Sequence, residues 1–162
     1  MSTTLPQLVQ ELYDINRQTS CTPQRYITFI ETKLQPYISE PQLKQGPFAH
    51  LFSGLSVFFK AIIPVLYPKY QNKLRLFIQL LYKLFHFNDD LPPDLKHQLC
   101  VQLCFLLDQQ ETLQPSLYLM SVQLLLFLYK KSEVFPYYKE VLSFFSKLEV
   151  CISPFFSFHF VL

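Results

Sequence analysis

The stretch Tyr67–Leu107, YPKYQNKLRLFIQLLYKLFHFNDDLPPDLKHQLCVQLCFLL, decides the fold. Leu74, Phe77, Ile78, Leu81, Leu84 and Phe85 recur at three- and four-residue spacing, and so do Leu95, Leu99, Leu103, Leu106 and Leu107. That is the period of a helix with one buried face. Between the two runs lies Asn88-Asp89-Asp90-Leu91-Pro92-Pro93. Its polar residues suit a turn, and proline suits a first helical turn, where its missing N–H costs nothing. The stretch therefore reads as two amphipathic helices around one sharp corner.

The same grammar extends in both directions. Upstream, Leu5, Leu8, Val9, Leu12 and Ile15 mark a first short helix. Thr22 and Pro23 form the N-cap and first position of a second, with Tyr26, Ile27, Ile30, Leu34 and Tyr37 facing inward and Pro36 and Pro41 bracketing its end. A third helix is expected over Pro47–Ile63, with Leu51, Leu55, Phe58, Phe59, Ile62 and Ile63 inside, and Pro64 ends or kinks it. Pro68 is expected to open the fourth helix, running to about Phe87, and Pro92 or Pro93 the fifth, running to about Asp108. Pro115 opens a sixth, closing near Lys130-Lys131, where cations complement the helix dipole. Pro136 opens a seventh that ends near Leu148.

The helix-opening prolines form two interleaved series. Pro6, Pro47, Pro92 and Pro136 are 41, 45 and 44 residues apart; Pro23, Pro68 and Pro115 are 45 and 47 apart. Two helices per period of about 40–47 residues is the pattern of HEAT- and armadillo-like arrays. A lone helical hairpin cannot cover its apolar face, but stacked neighbours bury a continuous core. The expected fold is all-α: antiparallel helix pairs stacked as a solenoid of about seven helices. One helical-repeat domain spans residues 5–149.

Composition agrees with this reading. The 162 residues suffice for one domain with a real core, and half are hydrophobic. Only two glycines occur, Gly46 and Gly54, too few for a β protein rich in tight hairpins. The net charge of +2 selects no partner by itself. Cys21, Cys100, Cys104 and Cys151 lack the density of a secreted disulfide framework and read as reduced core residues. The start Met1-Ser2-Thr3-Thr4 lacks the basic opening of a signal peptide. Thr112–Tyr129 is uncharged and tempts a membrane-span reading, but Gln114, Pro115, Ser116, Ser121 and Gln123 weaken it. A helix buried on most sides explains it better. From Val150 to Leu162 the chain has neither charge nor helical period, and reads as an atypical apolar tail. A disordered, truncated or alternative end is one expectation for it, and a segment docked on the last helix is another.

Catalytic and cofactor constellations are sparse. Two glycines cannot build a phosphate-binding loop, and no GxSxG, HExxH or CxxC occurs. His50, His86, His97 and His159 are scattered over different elements. Asp89, Asp90 and Asp94 flank a helix start, where carboxylates serve caps and the dipole. No catalytic, cofactor or metal residue is assigned. The basic residues are more informative, because no acid lies between Glu40 and Asp89. Lys60, Lys69, Tyr70, Lys73, Arg75 and Lys83 form a candidate stripe for RNA or a protein partner, since cations beside aromatics suit a phosphate backbone and splayed bases.

Several ordered motifs together resemble the N-terminal helical region of the SDA (severe depolymerisation of actin) family. They are Leu5-Pro6-Gln7-Leu8, Pro23-Gln24-Arg25-Tyr26-Ile27, Tyr67-Pro68-Lys69-Tyr70, Leu91-Pro92-Pro93-Asp94-Leu95-Lys96 and Leu113-Gln114-Pro115-Ser116. The resemblance covers about residues 5–149. It implies a non-catalytic α-helical scaffold in the nucleus and nucleolus, acting in maturation and export of the 60S pre-ribosome. Its partners would be pre-60S particle proteins and rRNA, with no small-molecule substrate. The chain is shorter than that family's members and lacks their highly charged later part, which suggests a fragment or short form able to dock. The alternative is a generic HEAT-like adaptor in trafficking or cytoskeletal organisation. A small membrane protein ranks below both.

Overall fold

The computed structural model describes residues 4–18, 21–39, 49–86, 92–109 and 112–130. Every element among them is helical: α1 (Leu5–Arg17), α2 (Pro23–Phe29), a π-helical segment (Ile30–Leu34), α3 (Gln35–Ser39), α4 (Ala49–Leu66), α5 (Gln71–His86), α6 (Pro93–Leu107) and α7 (Pro115–Lys130). The expected seventh helix over Pro136–Leu148 and the tail from Val150 lie outside the described residues.

The helix starts follow from local chemistry. Thr4 caps α1 through a reciprocal pair: the Gln7 N–H donates to Thr4 Oγ1 at 3.4 Å, and the Thr4 N–H donates to Gln7 Oε1 at 3.0 Å. Two of the N–H groups that a helix start leaves unpaired are thereby satisfied. Thr22 caps α2 by accepting the Arg25 N–H at 3.3 Å. Pro6, Pro23, Pro93 and Pro115 each lie in a first turn.

Three further prolines sit inside helices or turns, and Pro68 is the one that departs outright from expectation. The second helix runs through Pro36 to Ser39, between Pro36 and Pro41, the bracket expected for its end. The turn before Pro36 is widened, and the Gln35 N–H reaches back five residues to the Ile30 carbonyl. A wider turn ahead of a proline gives its ring room that a regular α-turn denies. Pro64 does not end α4, which continues to Leu66, and the Tyr67 N–H still bonds the Ile63 carbonyl at 3.0 Å. Its ring is solvent-exposed, and near the end of a helix it withdraws only one N–H, the one that would have reached the Lys60 carbonyl. Pro68 does not open the fourth helix. It follows a cis peptide bond inside the turn Tyr67–Tyr70, where the Tyr70 N–H reaches the Leu66 carbonyl at 2.7 Å, and α5 begins only at Gln71.

The helices pack by alternation. α1 lies on α4 and α4 on α6, while α3 lies on α5 and α5 on α7. Successive helices α4 and α5, and α6 and α7, also touch, and α2 leans on α4. The core is aromatic at its centre. Phe58 of α4 meets Tyr26 and Phe29 of α2 at 5.5 and 5.4 Å and Phe77 of α5 at 5.3 Å between ring centroids. Leu8, Leu12, Ile15, Leu74, Phe77, Ile78, Leu84, Leu103 and Leu106 are wholly buried. Most of the residues read as inward from the sequence are buried, Leu5, Val9 and Tyr37 only partly, and Phe29, Phe52 and Leu66 join them.

Several hydrogen bonds among the described residues join elements about one repeat apart, three of them donated by side chains. Asn16 Nδ2 donates to the Gly54 carbonyl at 3.1 Å, Ser56 Oγ to Gln98 Oε1 at 3.0 Å, and Gln71 Nε2 to the Thr112 carbonyl at 2.9 Å. Their partners lie 38, 42 and 41 residues apart.

Candidate binding surface

Helix alternation sets where the cations go. Lys69 and Tyr70 sit in the turn before α5, with the Lys69 ammonium 5.5 Å from the Tyr70 ring centroid. Lys73 follows in the first turn of α5. It is not a free cation: its Nζ lies 2.6 Å from Glu31 Oε1 on the π-helical segment of the preceding helix. The acid-free interval in the sequence therefore acquires a carboxylate in space. Arg75 is half-buried, and its Nε is buried with no hydrogen-bond partner. Two residues on a helix differ by about 200°, so Lys73 and Arg75 leave α5 on nearly opposite sides.

Lys83 lies about 15 Å farther along α5 than Lys73, from a rise of about 1.5 Å per residue. It is exposed and neighbours an aromatic group formed where α5 meets α7. There the rings of Tyr82, His86 and Phe127 meet one another edge-on or tilted, with centroid distances of 4.6 Å (Tyr82–His86), 4.7 Å (His86–Phe127) and 5.1 Å (Tyr82–Phe127). Lys60 stands elsewhere, on α4. Lys69, Tyr70 and Lys73 are thus brought together, whereas Lys60 and Lys83 stand apart from them.

Lys60 belongs to a feature that the sequence reading missed. It lines a cavity of about 360 Å³ with Ile63, Pro64, Val101, Gln102 and Phe105, between α4 and α6. Around it, large apolar side chains face water: Val57 is 53% exposed, Val101 40% and Phe105 59%. Among the described residues only Leu119 joins these as an exposed large hydrophobic, so the exposed apolar surface gathers here. A signal was present in α6. Cys100, Val101, Cys104 and Phe105 form an apolar set outside the Leu95–Leu99–Leu103 face, more than one buried face needs. Cys100 and Cys104 bury inward and Val101 and Phe105 remain outside.

The remaining titratable groups are structural in setting. Cys21, Cys100 and Cys104 are free thiols. Burial, then the neighbouring Cys104, pushes the Cys100 thiol far above its ordinary range, with Lys96 opposing weakly. Burial also raises the Tyr26 hydroxyl, helped by its hydrogen bond with Cys21. Asp94 is exposed in the first turn of α6, where a carboxylate complements the helix dipole. Asp89 and Asp90 lie outside the described residues. Lys33 pairs with Glu11 at 3.6 Å across a shallow polar hollow that includes Gln7 and Gln10. Among the described residues, no group of three or more His, Cys, Asp or Glu is placed to hold a metal ion. Among them, too, no helix is long and apolar enough to cross a membrane.

No family model matches the chain, and no curated protein or solved structure matches it.

Proposed function

We propose that this chain is a non-catalytic binding scaffold built as a HEAT- or armadillo-like α-solenoid. The observation that carries the reading is the alternation of helix contacts, α1 on α4 on α6 and α3 on α5 on α7. In a stacked array of helix pairs each residue meets its counterpart one repeat away. The cross-links at 38, 41, 42 and 43 residues fall close to the proline period of 41 to 47 and support this architecture. Such arrays work by offering extended surfaces to partners.

The partner assigned is the 60S pre-ribosome. The resemblance of the ordered motifs to the SDA family supports that choice, and the proposal includes a nuclear and nucleolar location with pre-60S proteins and rRNA as contacts. Lys69, Tyr70 and Lys73 at the start of α5, with Lys60 and Lys83 elsewhere, are the groups that would meet RNA or an acidic protein surface. Sucrose-gradient sedimentation of nuclear extract tests the assignment. Co-migration with pre-60S particles is expected, and confinement to the light fractions overturns the ribosomal assignment.

The apolar cleft between α4 and α6 favours one second reading, a protein-interaction adaptor in trafficking or cytoskeletal organisation. The same gradient separates the two, because an adaptor stays off the particle.

A further inference from the structure

We infer that the α4–α6 face is the contact of a two-fold symmetric homodimer, in which Phe105 of each copy enters the other's cavity and Asp108 beside it pairs with the other's Lys60. This goes beyond the proposed function and rests on neither of its readings. The occupant follows from what the face itself carries. A two-fold interface uses one patch twice, so the patch must hold both halves of every contact: knob and hole, cation and anion.

Knob and hole are both present. The hole is the cavity of about 360 Å³ between Lys60, Ile63 and Pro64 of α4 and Val101, Gln102 and Phe105 of α6. The knob is Phe105, which is 59% exposed at the edge of that same cavity. Val57 and Val101, 53% and 40% exposed, widen the apolar patch around it. Seating Phe105 of each copy in the other's cavity brings the two rings together near the two-fold axis, where aromatic pairs pack offset or edge-on. It also takes from water the apolar side chains that a single copy leaves exposed.

Both charges are present as well. Asp108 is exposed and follows Phe105 by three residues, so the two side chains are neighbours on α6. Lys60 stands exposed at the rim of the cavity. Phe105 seated in the cavity therefore carries its Asp108 to the other copy's Lys60, and the symmetry makes the same pair a second time. Asp108 is the C-cap of α6, where a carboxylate meets the negative end of the helix dipole, and a cation from outside offsets that repulsion.

The other charges around the face do not take these roles. Asp94 lies in the first turn of α6, about 21 Å from Asp108 at about 1.5 Å per residue, and complements the dipole there. Lys96 is buried. The acids of α1 and the second helix, both packed on α4, are engaged: Glu11 with Lys33, Asp14 with Gln10 and Glu31 with Lys73. Lys60 has no ion pair among the described residues.

Sedimentation equilibrium of the purified full chain over about 1–100 μM tests this. A monomer–dimer equilibrium is expected, and Phe105→Ser should weaken it at least about tenfold. Lys60→Glu and Asp108→Lys should each weaken it by a similar factor, because each sets like charges together twice. Mixed in equal amounts, these two variants should recover a dimer within about threefold of the parent's affinity. In the mixed dimer one pair has its charges exchanged and the other is native. All three substituted side chains are exposed, so thermal melts at low concentration should match the parent, and recovery on mixing itself shows that both charge variants are folded.

A parent that stays monomeric across the whole range overturns the proposal. So does a dimer indifferent to Phe105→Ser, or a pair of charge variants that fails to recover on mixing. Sedimentation equilibrium uses the purified chain and the gradient uses extract, so failure of this interface and failure of the ribosomal assignment are read separately.

Discussion

Gln71, the first residue of α5, accepts the backbone N–H of Gln114 at 2.7 Å on its Oε1 and donates from its Nε2 to the Thr112 carbonyl at 2.9 Å. One buried carboxamide thus satisfies a donor and an acceptor in the connector that leads into α7, 43 and 41 residues away. The side chain is positioned by the turn Tyr67–Tyr70, which delivers Gln71 to the helix start facing the neighbouring helix. It couples the start of one helix to the start of the helix stacked on it.

Replacing Gln71 with Leu should therefore cost about 1–3 kcal/mol, the penalty for buried polar groups that lose their partners. The loss should appear in urea unfolding as a lowered midpoint with little change in slope. Gln71→Asn, one methylene shorter, should recover little of it. Equal stability of Gln71→Leu and the parent would show that water replaces both bonds.

Gly54 is where α1 and α4 approach closely. A Cβ there would stand 2.6 Å from Leu12 Cδ2 and 3.1 Å from Leu12 Cγ, and Leu12 is fully buried, so its side chain must shift within the core. Gly→Ala within a helix normally gains about 1 kcal/mol of propensity. Here overpacking of about 1–3 kcal/mol opposes that gain, so Gly54→Ala should lower stability. In a Leu12→Ala background the obstruction is gone, and the same change should raise it. A thermal-melt double-mutant cycle reads the difference in sign.

Lys73 tests whether the basic end of α5 meets nucleic acid. Its pairing with Glu31 involves two side chains each about 40% exposed, so the pair itself contributes at most about 1 kcal/mol to stability. Lys73→Glu should be tolerated by the fold but weaken binding to single-stranded RNA. Each lost phosphate contact should reduce the slope of log affinity against log salt by about 0.7. Glu31→Gln should act in the opposite direction by releasing Lys73. Identical salt slopes for all three proteins would remove Lys73 from the binding surface.

Cys100 should contribute to the alkaline limit of stability. Burial raises its folded pKa well above the ordinary thiol value of 9.0. Below that value both folded and unfolded chains keep the proton, and stability is unaffected. Above about pH 9 the unfolded chain releases the proton while the folded chain retains it, so stability falls with rising pH, by up to about 1.4 kcal/mol per unit. Cys100→Ala should show a shallower decline than the parent above pH 9 and a parallel profile below. Native Cys100 should also resist alkylation at pH 8, with the half-buried Cys21 reacting first.

Much of the chain was legible because helices are local. The face Leu8, Leu12, Ile15 of α1 and the face Leu74, Phe77, Ile78, Leu81 of α5 were read from spacing, and each is buried. The capped starts at Thr22–Pro23 and Pro115 were legible for the same reason, since a cap is decided within one turn. Pro68 was misread, and Pro64 does not end its helix, because proline only states what its own position cannot donate. Whether a helix stops there depends on the ring's surroundings. Pro64 faces solvent, Pro36 follows a widened turn, and Pro68 lies in a turn held by the Tyr70 bond to Leu66.

By itself, the sequence determined that the described chain is helical, where most helices begin and which faces they bury. These are consequences of dihedral preference, capping and a 3.6-residue period, all settled among neighbours. The tertiary structure alone decided that Glu31 answers Lys73, that Gln71 bonds the Thr112–Gln114 connector, and that Val101 and Phe105 stay in water beside Lys60. Those pairings depend on how one helix is rotated and offset against another some 40 residues away. Periodicity carries no record of that rotation, so a cation in an acid-free stretch could be read as free while a carboxylate from the preceding helix lay against it.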